Sequence, residues 1–510
     1  MNRDDQAPRL TRRDLLAGLA TTPALVALGL AAYRHAAYKK ENLHGIFGDL
    51  LERLPSPSGA AGLEPAPAGP VLNIGLIGVG YRGKQLMVAA GFAQPAQLDP
   101  GESLGTRGEA PLGIRIAGVS DLYQPNLDWG VAASGGTAVP YRRASDLIAS
   151  PGIDAVVIAA PDHWHVPLTI AAARAGKHVY VEKCFSHDVE GALAAADVVK
   201  ETGVVLQLGH QGRQNSLYVL AARLVSDGLL GDVRLAQAFT NHNGAILAWS
   251  GVIPKEAGPH NVDWEAFEGN GPTRPFDLDR FFHWRKYWDY GTGLSGDAFT
   301  HEWDSLDQMQ GGLGIPATAV ASGGNYGWRD GRETPDTYQV VYEYPDRGLA
   351  LAYNATQSNG WRRDKILCGA DATMTLEGGV RVYADRDSTR YADFLKTGRI
   401  DPDRPIASYL PGEGRWLDAV TSATQQWAVS RGLLYSTTPT GRRVNTATVH
   451  LRNWLDAIRS RRAPDCPVDL AVVEAVTAHM GTLSMRWGCR VRWDAASRTV
   501  VPDRGALAPT

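Results

Sequence analysis

The 510-residue chain has little cysteine and no marked excess of charge of either sign. Its four cysteines are scattered, and none forms a Cys-x-x-Cys pair. This pattern disfavours a zinc knuckle, a dithiol redox motif and a disulfide framework, with a single disulfide bond left as an alternative. A net charge of −3 at pH 7 offers no basic surface for nucleic acid. The length predicts two or three domains with sizeable cores.

One apolar stretch stands out near the N-terminus. Arg12 and Arg13 precede an apolar run over residues 15–32, which is the order found in an export signal. The arginine pair resembles a twin-arginine signal, so we expect residues 1–40 to direct the folded protein to the periplasm through the twin-arginine machinery. A Sec signal or an uncleaved anchor is the alternative, although the run is at the lower end of the roughly 17–25 residues of a spanning helix. The Pro- and Ala-rich residues 41–70 predict a linker.

Residues 71–208 alternate apolar strands with helices, which predicts a doubly wound parallel sheet. After the first strand comes a Gly-x-Gly-x-x-Gly turn that opens a helix, as a dinucleotide fingerprint requires. Its glycines permit a tight turn and let backbone N–H groups meet a pyrophosphate. We therefore expect the turn to bind a cofactor through Gly78, Gly80, Tyr81, Arg82 and Gly83. A structural glycine turn is the alternative.

Three other strand ends of this sheet carry polar residues. Asp121 ends the second strand, where a carboxylate can bind both ribose hydroxyls of NAD and would repel a 2′-phosphate, so NAD is favoured over NADP. The stretch "APDHWH", with Pro161, His163 and His165, predicts a loop on the nicotinamide side; His-x-His without a third ligand is weak as a metal site, and we predict no metal. The stretch "YVEKCF" places Glu182 and Lys183 at another strand end, where a lysine can hold a substrate hydroxyl.

The second half of the chain has a different pattern. Runs of alternating apolar and polar residues, such as "DTYQVVYEYP" and "LALAYNATQ", predict antiparallel strands with one wet face, in a mixed sheet backed by helices. Residues 209–510 are therefore predicted to form an α+β domain. Within it, the glycine-rich "YGTGLSGDAFTHEWD" places Asp297 and His301 four residues apart, on one face of a helix. An N-cap Asp and a core His are the alternative.

The order of these motifs resembles the glucose–fructose oxidoreductase / inositol dehydrogenase (Gfo/Idh/MocA) family. The resemblance runs from about residue 71 to near residue 500, and "FFHWRKYWDYGTGLSGDAFTHEWD" is similar to the exported bacterial branch. It implies an NAD-binding Rossmann domain, a second domain with an open-faced sheet, and an active site in the cleft between them. It also implies that Lys183 is the lysine of the family's Glu-Lys-Pro motif, that Asp297 is its carboxylate and that His301 is its general acid/base.

The chain departs from this family pattern at Cys184, which stands where the family usually has proline. The proline helps to set the local backbone, so the direction of Lys183 becomes an open question. A thiol is also expected near the nicotinamide. By analogy with the family, we expect a homo-oligomer.

A carbohydrate is the expected substrate. Aromatic side chains stack on sugars and cationic side chains bind hydroxyls, so we expect Arg285, Tyr287 and Trp288 to contact it. The predicted function is an exported oxidoreductase, with tightly held NAD, that acts on a CH–OH group of a sugar, polyol or glycoside. A periplasmic protein cannot draw on the cytoplasmic nucleotide pool, which is the reason to expect tight binding. The alternatives are a redox-neutral NAD-dependent glycosidase and a non-catalytic sugar- or nucleotide-binding protein.

Overall fold

The computed structural model describes residues 69–93, 112–244, 252–269, 271, 273–361, 363, 365–376, 379–409, 436–437 and 443–503. The predicted export signal (1–40) lies outside these residues, as does nearly all of the predicted linker. Among the helices of the described residues, none combines the length and apolarity needed to cross a membrane.

Six parallel strands form the first sheet, in the order β3-β2-β1-β4-β5-β6. Its central strands are short runs of Val, Ile, Leu and Ala buried on both faces, as expected for a parallel sheet covered by helices. The strands are β1 (Leu72–Ile77), β2 (Ile114–Ser120), β3 (Val139–Tyr141), β4 (Ala155–Ile158), β5 (His178–Val181) and β6 (Leu206–Leu208). The strand order reverses between β1 and β4, so their carboxyl ends form the crevice where doubly wound sheets bind ligands.

Helices connect these strands: α1 (Tyr81–Ala89), α2 (Gln124–Ala133), α3 (Ala144–Ala149), α4 (Asp162–Arg174) and α5 (Val189–Thr202). The prediction of a loop over "APDHWH" was wrong, because α4 already begins at Asp162. Pro161 has an extended backbone that suits the position before a helix, and the Asp162 carboxylate lies in the first turn, where the helix dipole favours negative charge.

A ten-stranded mixed sheet forms the second domain, in the order β14-β13-β12-β11-β7-β10-β9-β8-β17-β18. Only the contact between β7 and β10 is parallel among these pairs of described strands. The strands are β7 (Val233–Asn241), β8 (Thr318–Gly324), β9 (Thr337–Tyr344), β10 (Leu349–Thr356), β11 (Ile366–Gly369), β12 (Ala372–Thr375), β13 (Val380–Ala384), β14 (Ala407–Tyr409), β17 (Val491–Asp494) and β18 (Thr499–Pro502); β15 (Ser436–Thr437) and β16 (Arg443–Val444) pair separately. The predicted fold class, a Rossmann sheet followed by a mixed sheet, is confirmed.

The remaining helices are α6 (Ser216–Ser226), α7 (Trp264–Glu268), α8 (Leu278–Phe282), α9 (Thr300–Met309), α10 (Ala392–Lys396), α11 (Thr446–Ser460) and α12 (Val468–Trp487). A π-helical turn, Ser295–Phe299, leads directly into α9 and carries Asp297. The helices and the second sheet share a core that includes Phe299, Trp303 and Tyr342.

Helix α11 returns to the first domain late in the chain. Its apolar face, with Leu451, Trp454 and Leu455, is buried in the same core as β1 and α1. The Trp454 and Tyr180 rings meet edge to face, with centroids 5.7 Å apart. The predicted bounds of the two domains follow chain order and do not include this return.

We expect Trp454→Ala to lower the free energy of unfolding by about 3–5 kcal/mol, because the change leaves a cavity in the first core. Trp454 is 1% exposed, whereas Trp487 at the end of α12 is 46% exposed. Trp487→Ala is therefore the matched control, with an expected change of about 0.5 kcal/mol or less. Urea titrations followed by circular dichroism measure both. Equal effects of the two changes would contradict the place of α11 in the first core.

Candidate active site

The turn after β1 packs closely against the carboxyl end of β4. Gly78 has a φ of +88°, and a Cβ there would lie 2.5 Å from the carbonyl oxygen of Ala159. A Cβ on Gly83 would lie 2.1 Å from the carbonyl oxygen of Gly78. A Cβ on Gly80, by contrast, would meet nothing within 4 Å. Two of the glycines are thus required by the fold, and the third leaves room for a group outside the chain, as a dinucleotide needs.

A cavity of about 1210 Å³ runs from this turn to the segment that carries Asp297 and His301. It exceeds the roughly 300–1,000 Å³ typical of small-ligand pockets, so it has room for a dinucleotide and a substrate together. Most of the predicted site residues line it: Gly78, Gly80, Tyr81, Arg82, Asp121, Pro161, Glu182, Lys183, Arg285, Asp297 and His301.

Asp121 anchors the glycine turn. Its Oδ2 accepts the N–H of Val79 at 2.6 Å, and its Oδ1 accepts the N–H of Tyr123 at 2.8 Å. Burial raises the pKa of the Asp121 carboxyl, and these two donors oppose the rise. The carboxylate lies on the cavity wall, and its contact with a ribose stays a prediction.

Part of a second-domain segment, residues 252–263, lines the cavity and contacts the chain beside Asp121. Glu256 lines the cavity and accepts a hydrogen bond from the Tyr123 hydroxyl at 3.2 Å. The backbone N–H of Gln124 donates to the carbonyl of Asn261 at 2.9 Å. A cofactor held at the glycine turn would therefore lie between the two domains and not on an open edge.

Lys183 and Asp297 join the two domains inside the cavity. The Lys183 Nζ donates to the Asp297 Oδ1 at 2.6 Å and to its backbone carbonyl at 2.7 Å. The Nε of Arg285 donates to the same Oδ1 at 3.3 Å. The Lys183 and Asp297 side chains are 8% and 5% exposed, so the ion pair is buried. Removing one partner of such a pair typically costs about 3–5 kcal/mol.

Glu182 and Arg82 form a second ion pair on the cavity wall. The Arg82 Nε donates to the Glu182 Oε1 at 2.7 Å, and its Nη2 donates to the Gln211 Oε1 at 2.9 Å. Arg82 and Glu182, both predicted to bind the cofactor, therefore also form an ion pair with each other. Their contact with a cofactor stays a prediction.

His301 lines the cavity, and its Nε2 is a buried nitrogen with no hydrogen-bond partner among the described residues. Burial lowers the pKa of His301 well below its usual range, and the positive charges of Lys183 and His210 lower it further. The imidazole is therefore neutral near pH 7 and can accept a proton. Asp297 was predicted to orient His301 or to bind a neighbouring hydroxyl; its carboxylate instead contacts Lys183 and Arg285.

Comparison with known proteins agrees with this geometry. Residues 72–210 match the GFO_IDH_MocA family, described as "Oxidoreductase family, NAD-binding Rossmann fold". The matched residues cover the six strands of the first sheet and the helices that connect them.

Individual relatives cover parts of the chain. The scyllo-inositol 2-dehydrogenase (NAD(+)) of Bacillus subtilis is 35% identical over 122 residues, 23% of this chain and 36% of the relative. A glycosyl hydrolase family 109 protein of Shewanella putrefaciens is 25% identical over 282 residues, 52% of each chain. The chain thus spans about a third to a half of the length of these relatives. A levoglucosan dehydrogenase structure with NADH and levoglucosan shares the fold, with a TM-score of 0.56 and 18% identity over 84% of this chain and 99% of the other.

Two predicted cofactor residues of the NAD-binding domain, His163 and His165, point away from the cavity. His163 Nε2 lies 2.8 Å from the carbonyl of Phe267, and burial lowers the pKa of His163 to about 4. His165 is buried, with its ring nitrogens near the carbonyls of Ala160 and Cys184. Asp162 and Trp164, their neighbours on α4, line the cavity instead. The prediction assumed a loop, whereas the segment is the first turn of a helix, whose side chains point in different directions around the helix axis.

Cys184 was expected beside the nicotinamide, but its thiol faces away from the cavity. The side chain is fully buried, and its Sγ contacts the carbonyl of Ser186 at 3.2 Å. Burial raises the pKa of the Cys184 thiol well above its usual range. The Lys183–Cys184 peptide bond is cis. Lys183 still reaches the cavity wall.

The substrate predictions at Tyr287 and Trp288 were wrong in position. Tyr287 is buried, and its hydroxyl contacts the carboxylate of Asp279. The Trp288 ring faces the guanidinium of Arg486. Neither lines the cavity, whereas Trp284 does, with the Arg285 guanidinium 4.0 Å from its ring centre. The sequence showed an aromatic cluster here but not which rings face inward. Nothing in the sequence indicated Glu256 as a wall residue.

We expect Gly80→Ala to weaken NAD binding by about ten-fold or more, because the added methyl enters the space left for the cofactor. Folding should be unaffected, since Gly80 has an ordinary φ of −68° and its Cβ meets no atom of the chain. Gly83→Ala is the contrasting change and should lower the melting temperature. Isothermal titration with NAD and differential scanning calorimetry separate the two effects. Unchanged NAD affinity in Gly80→Ala would place the cofactor elsewhere.

Proposed function

We propose that this chain is an exported NAD-dependent oxidoreductase that acts on a CH–OH group of a sugar, polyol or glycoside. One observation carries the proposal: Lys183, Asp297 and His301 line the same cavity as the glycine turn of the NAD-binding domain. A proton acceptor and a buried cation thus share one cavity with the place where a dinucleotide fits.

His301 is proposed to accept the hydroxyl proton of the substrate. Its Nε2 lacks a partner among the described residues, and its neutral form is favoured near pH 7. NAD, when bound, supplies the acceptor for the hydride that leaves the same carbon. A base whose pKa lies below the working pH is unprotonated throughout the neutral range, which is the form that a proton acceptor needs.

Lys183 is proposed to stabilise the negative charge that develops on the substrate oxygen. Its ammonium is buried, so its electrostatic effect is stronger than in water. Asp297 and Arg285 keep this group at the cavity wall through their shared contact at the Asp297 Oδ1. Asp297 is therefore proposed to position Lys183, whereas the orientation of His301 is not assigned to it.

A redox-neutral glycosidase is the second candidate. Two observations favour it: residues 252–263 enclose the cofactor end of the cavity, and one relative is named a glycosyl hydrolase family 109 protein. An enclosed NAD that is reduced and reoxidised in each cycle needs no exchange with a nucleotide pool. The named substrates of the other relatives, scyllo-inositol and levoglucosan, support a polyol or an anhydrosugar as the ligand class.

Export and self-association are further parts of the proposal. Arg12 and Arg13, followed by the apolar run, support export by the twin-arginine machinery, and fractionation of cells that express an Arg12→Lys, Arg13→Lys variant tests it.

Val320 and Val341 are cross-strand partners, 50% and 38% exposed, which supports a homo-oligomer through the open face of the second sheet. Light scattering of the purified protein tests that part.

We expect NAD to co-purify with the protein in about a 1:1 ratio, because the cofactor end of the cavity lies between two domains. Denaturation followed by mass spectrometry of the released nucleotide measures this, with the Gly80→Ala protein as the control. Retained NAD with release of free sugar from a glycoside, and no net absorbance change, would favour the glycosidase. A protein that contains no copurified NAD or NADP and binds neither when it is added would contradict the enzyme proposal and favour a sugar-binding protein.

We expect His301→Ala to reduce turnover of a polyol or sugar by about 10²–10⁴-fold, because the proton acceptor is lost. NAD affinity should stay within a few-fold of the parent protein. His163→Gln is the matched control, since His163 is half-buried and does not line the cavity. Reduced nicotinamide is followed by absorbance against a panel that includes inositols and levoglucosan. Full activity in His301→Ala would exclude His301 as the base.

A further inference from the structure

A buried ion pair lies directly behind His301. The His210 Nε2 and the Glu474 Oε1 are 3.0 Å apart, and both side chains are at most 1% exposed. His210 follows β6 of the first sheet, whereas Glu474 belongs to α12, which packs against both cores. Neither residue lines the cavity, and the function proposed above uses neither.

The two histidine rings connect this pair to the cavity. The His210 and His301 ring centres are 5.5 Å apart, with an interplanar angle of 85°. The order from the cavity inward is therefore His301, His210 and Glu474. A charge on His210 acts on His301 through protein and not through water, so it is weakly screened.

The surroundings of His210 favour its charged form. Burial alone lowers the pKa of His210, but the carboxylates of Asp304 and Glu474 outweigh burial and raise it above its usual value. Arg213 opposes them, although it is itself paired with Asp304 at 2.6 Å and with Asp307 at 2.8 Å. Glu474 is the carboxylate that contacts the His210 ring.

His301 is surrounded by several positive charges, and each has a carboxylate partner. The groups that face it from other elements are Lys183, paired with Asp297; Arg82, paired with Glu182; Lys365, paired with Glu302; and His210, paired with Glu474. Lysine and arginine keep their charge near neutral pH, but an imidazole, with an ordinary pKa near 6.5, keeps it only with help. His210 is thus the cation of this set whose charge depends on its partner.

We propose that Glu474 is a positioning residue that acts through His210: its carboxylate holds His210 as the imidazolium, and that buried cation keeps His301 in the neutral form that accepts the substrate proton. The proposal rests on the proposed role of His301 as the base. It assigns a function to an acidic residue near the far end of the chain, outside the cavity.

The test is the pH dependence of kcat/KM for substrate oxidation in Glu474→Gln. Below the pKa of His301 the base is protonated and the rate falls, so the acid limb of the profile reports that pKa. In Glu474→Gln, His210 becomes neutral and His301 loses a nearby positive charge. The acid limb should move to higher pH by about one unit. Glu474→Asp, which keeps the charge, should restore the parent profile.

Asp469→Asn is the matched control. It makes the same carboxylate-to-amide change on α12, but Asp469 is 73% exposed and pairs with Lys200 at the surface. Its acid limb should not move. His210→Asn should reproduce the shift of Glu474→Gln, and the double variant should add no further shift, because both changes remove one cation. The proposal would be overturned if the acid limb of the Glu474→Gln profile did not move. A move of that limb to lower pH would also overturn it, because it would mean that His210 keeps its proton without Glu474.

A direct titration separates this proposal from the proposed function. The chain has 13 histidines, so ¹³C labelling of the histidine Cε1 with assignment by His301→Ala and His210→Asn gives individual titration curves. A raised His301 pKa in Glu474→Gln supports the coupling even if no substrate is turned over. An unchanged His301 curve in a folded, NAD-binding variant overturns it while the oxidoreductase proposal stands. Should Glu474→Gln fail to fold, His210→Asn alone answers the same question.

Discussion

The buried contact between Lys183 and Asp297 is the interaction on which the geometry of the site depends. It fixes the end of β5 in the NAD-binding domain against the π-helical turn that leads into α9. Two hydrogen bonds from one ammonium, one to the carboxylate and one to the backbone, set the position of that turn. Because His301 lies one turn further along, the same contact places the proposed proton acceptor relative to the glycine turn.

Burial of charge costs desolvation free energy, and the buried charged residues at the cavity wall and behind it are paired with opposite charges. Arg82 lies against Glu182, Lys365 against Glu302 and His210 against Glu474. His301 differs from them, because its Nε2 has no partner among the described residues and its surroundings are cationic. A buried polar atom without a partner costs stability, so it is a feature expected at a functional site more than in a core.

The enclosure of the cavity connects the fold to the proposed place of action. Residues 252–263 of the second domain reach across β2 and bond to Tyr123 and Gln124 beside Asp121. Tight retention of a dinucleotide at this end of the cavity is part of the proposed function.

The sequence by itself determined the local elements and indicated most of the polar residues that line the cavity. Strand–turn–helix order and the spacing of Gly78, Gly80 and Gly83 predicted the Rossmann domain, because these depend on near neighbours in the chain. It also predicted that Asp121 and Lys183 would lie near each other, since strand ends of a parallel sheet share one edge. The family resemblance predicted that Asp297 and His301 would join them.

The tertiary structure decided which side chains face the cavity and what they contact. His163 and His165 point away because α4 begins earlier than the sequence indicated, and Tyr287 and Trp288 pack elsewhere while Trp284 lines the wall. The Lys183–Asp297 contact joins residues 114 positions apart, and the His210–Glu474 contact joins residues 264 positions apart. Helix α11, late in the chain, is buried in the same core as β1 and α1. Such contacts follow from packing between elements, and no local pattern in one sequence encodes them.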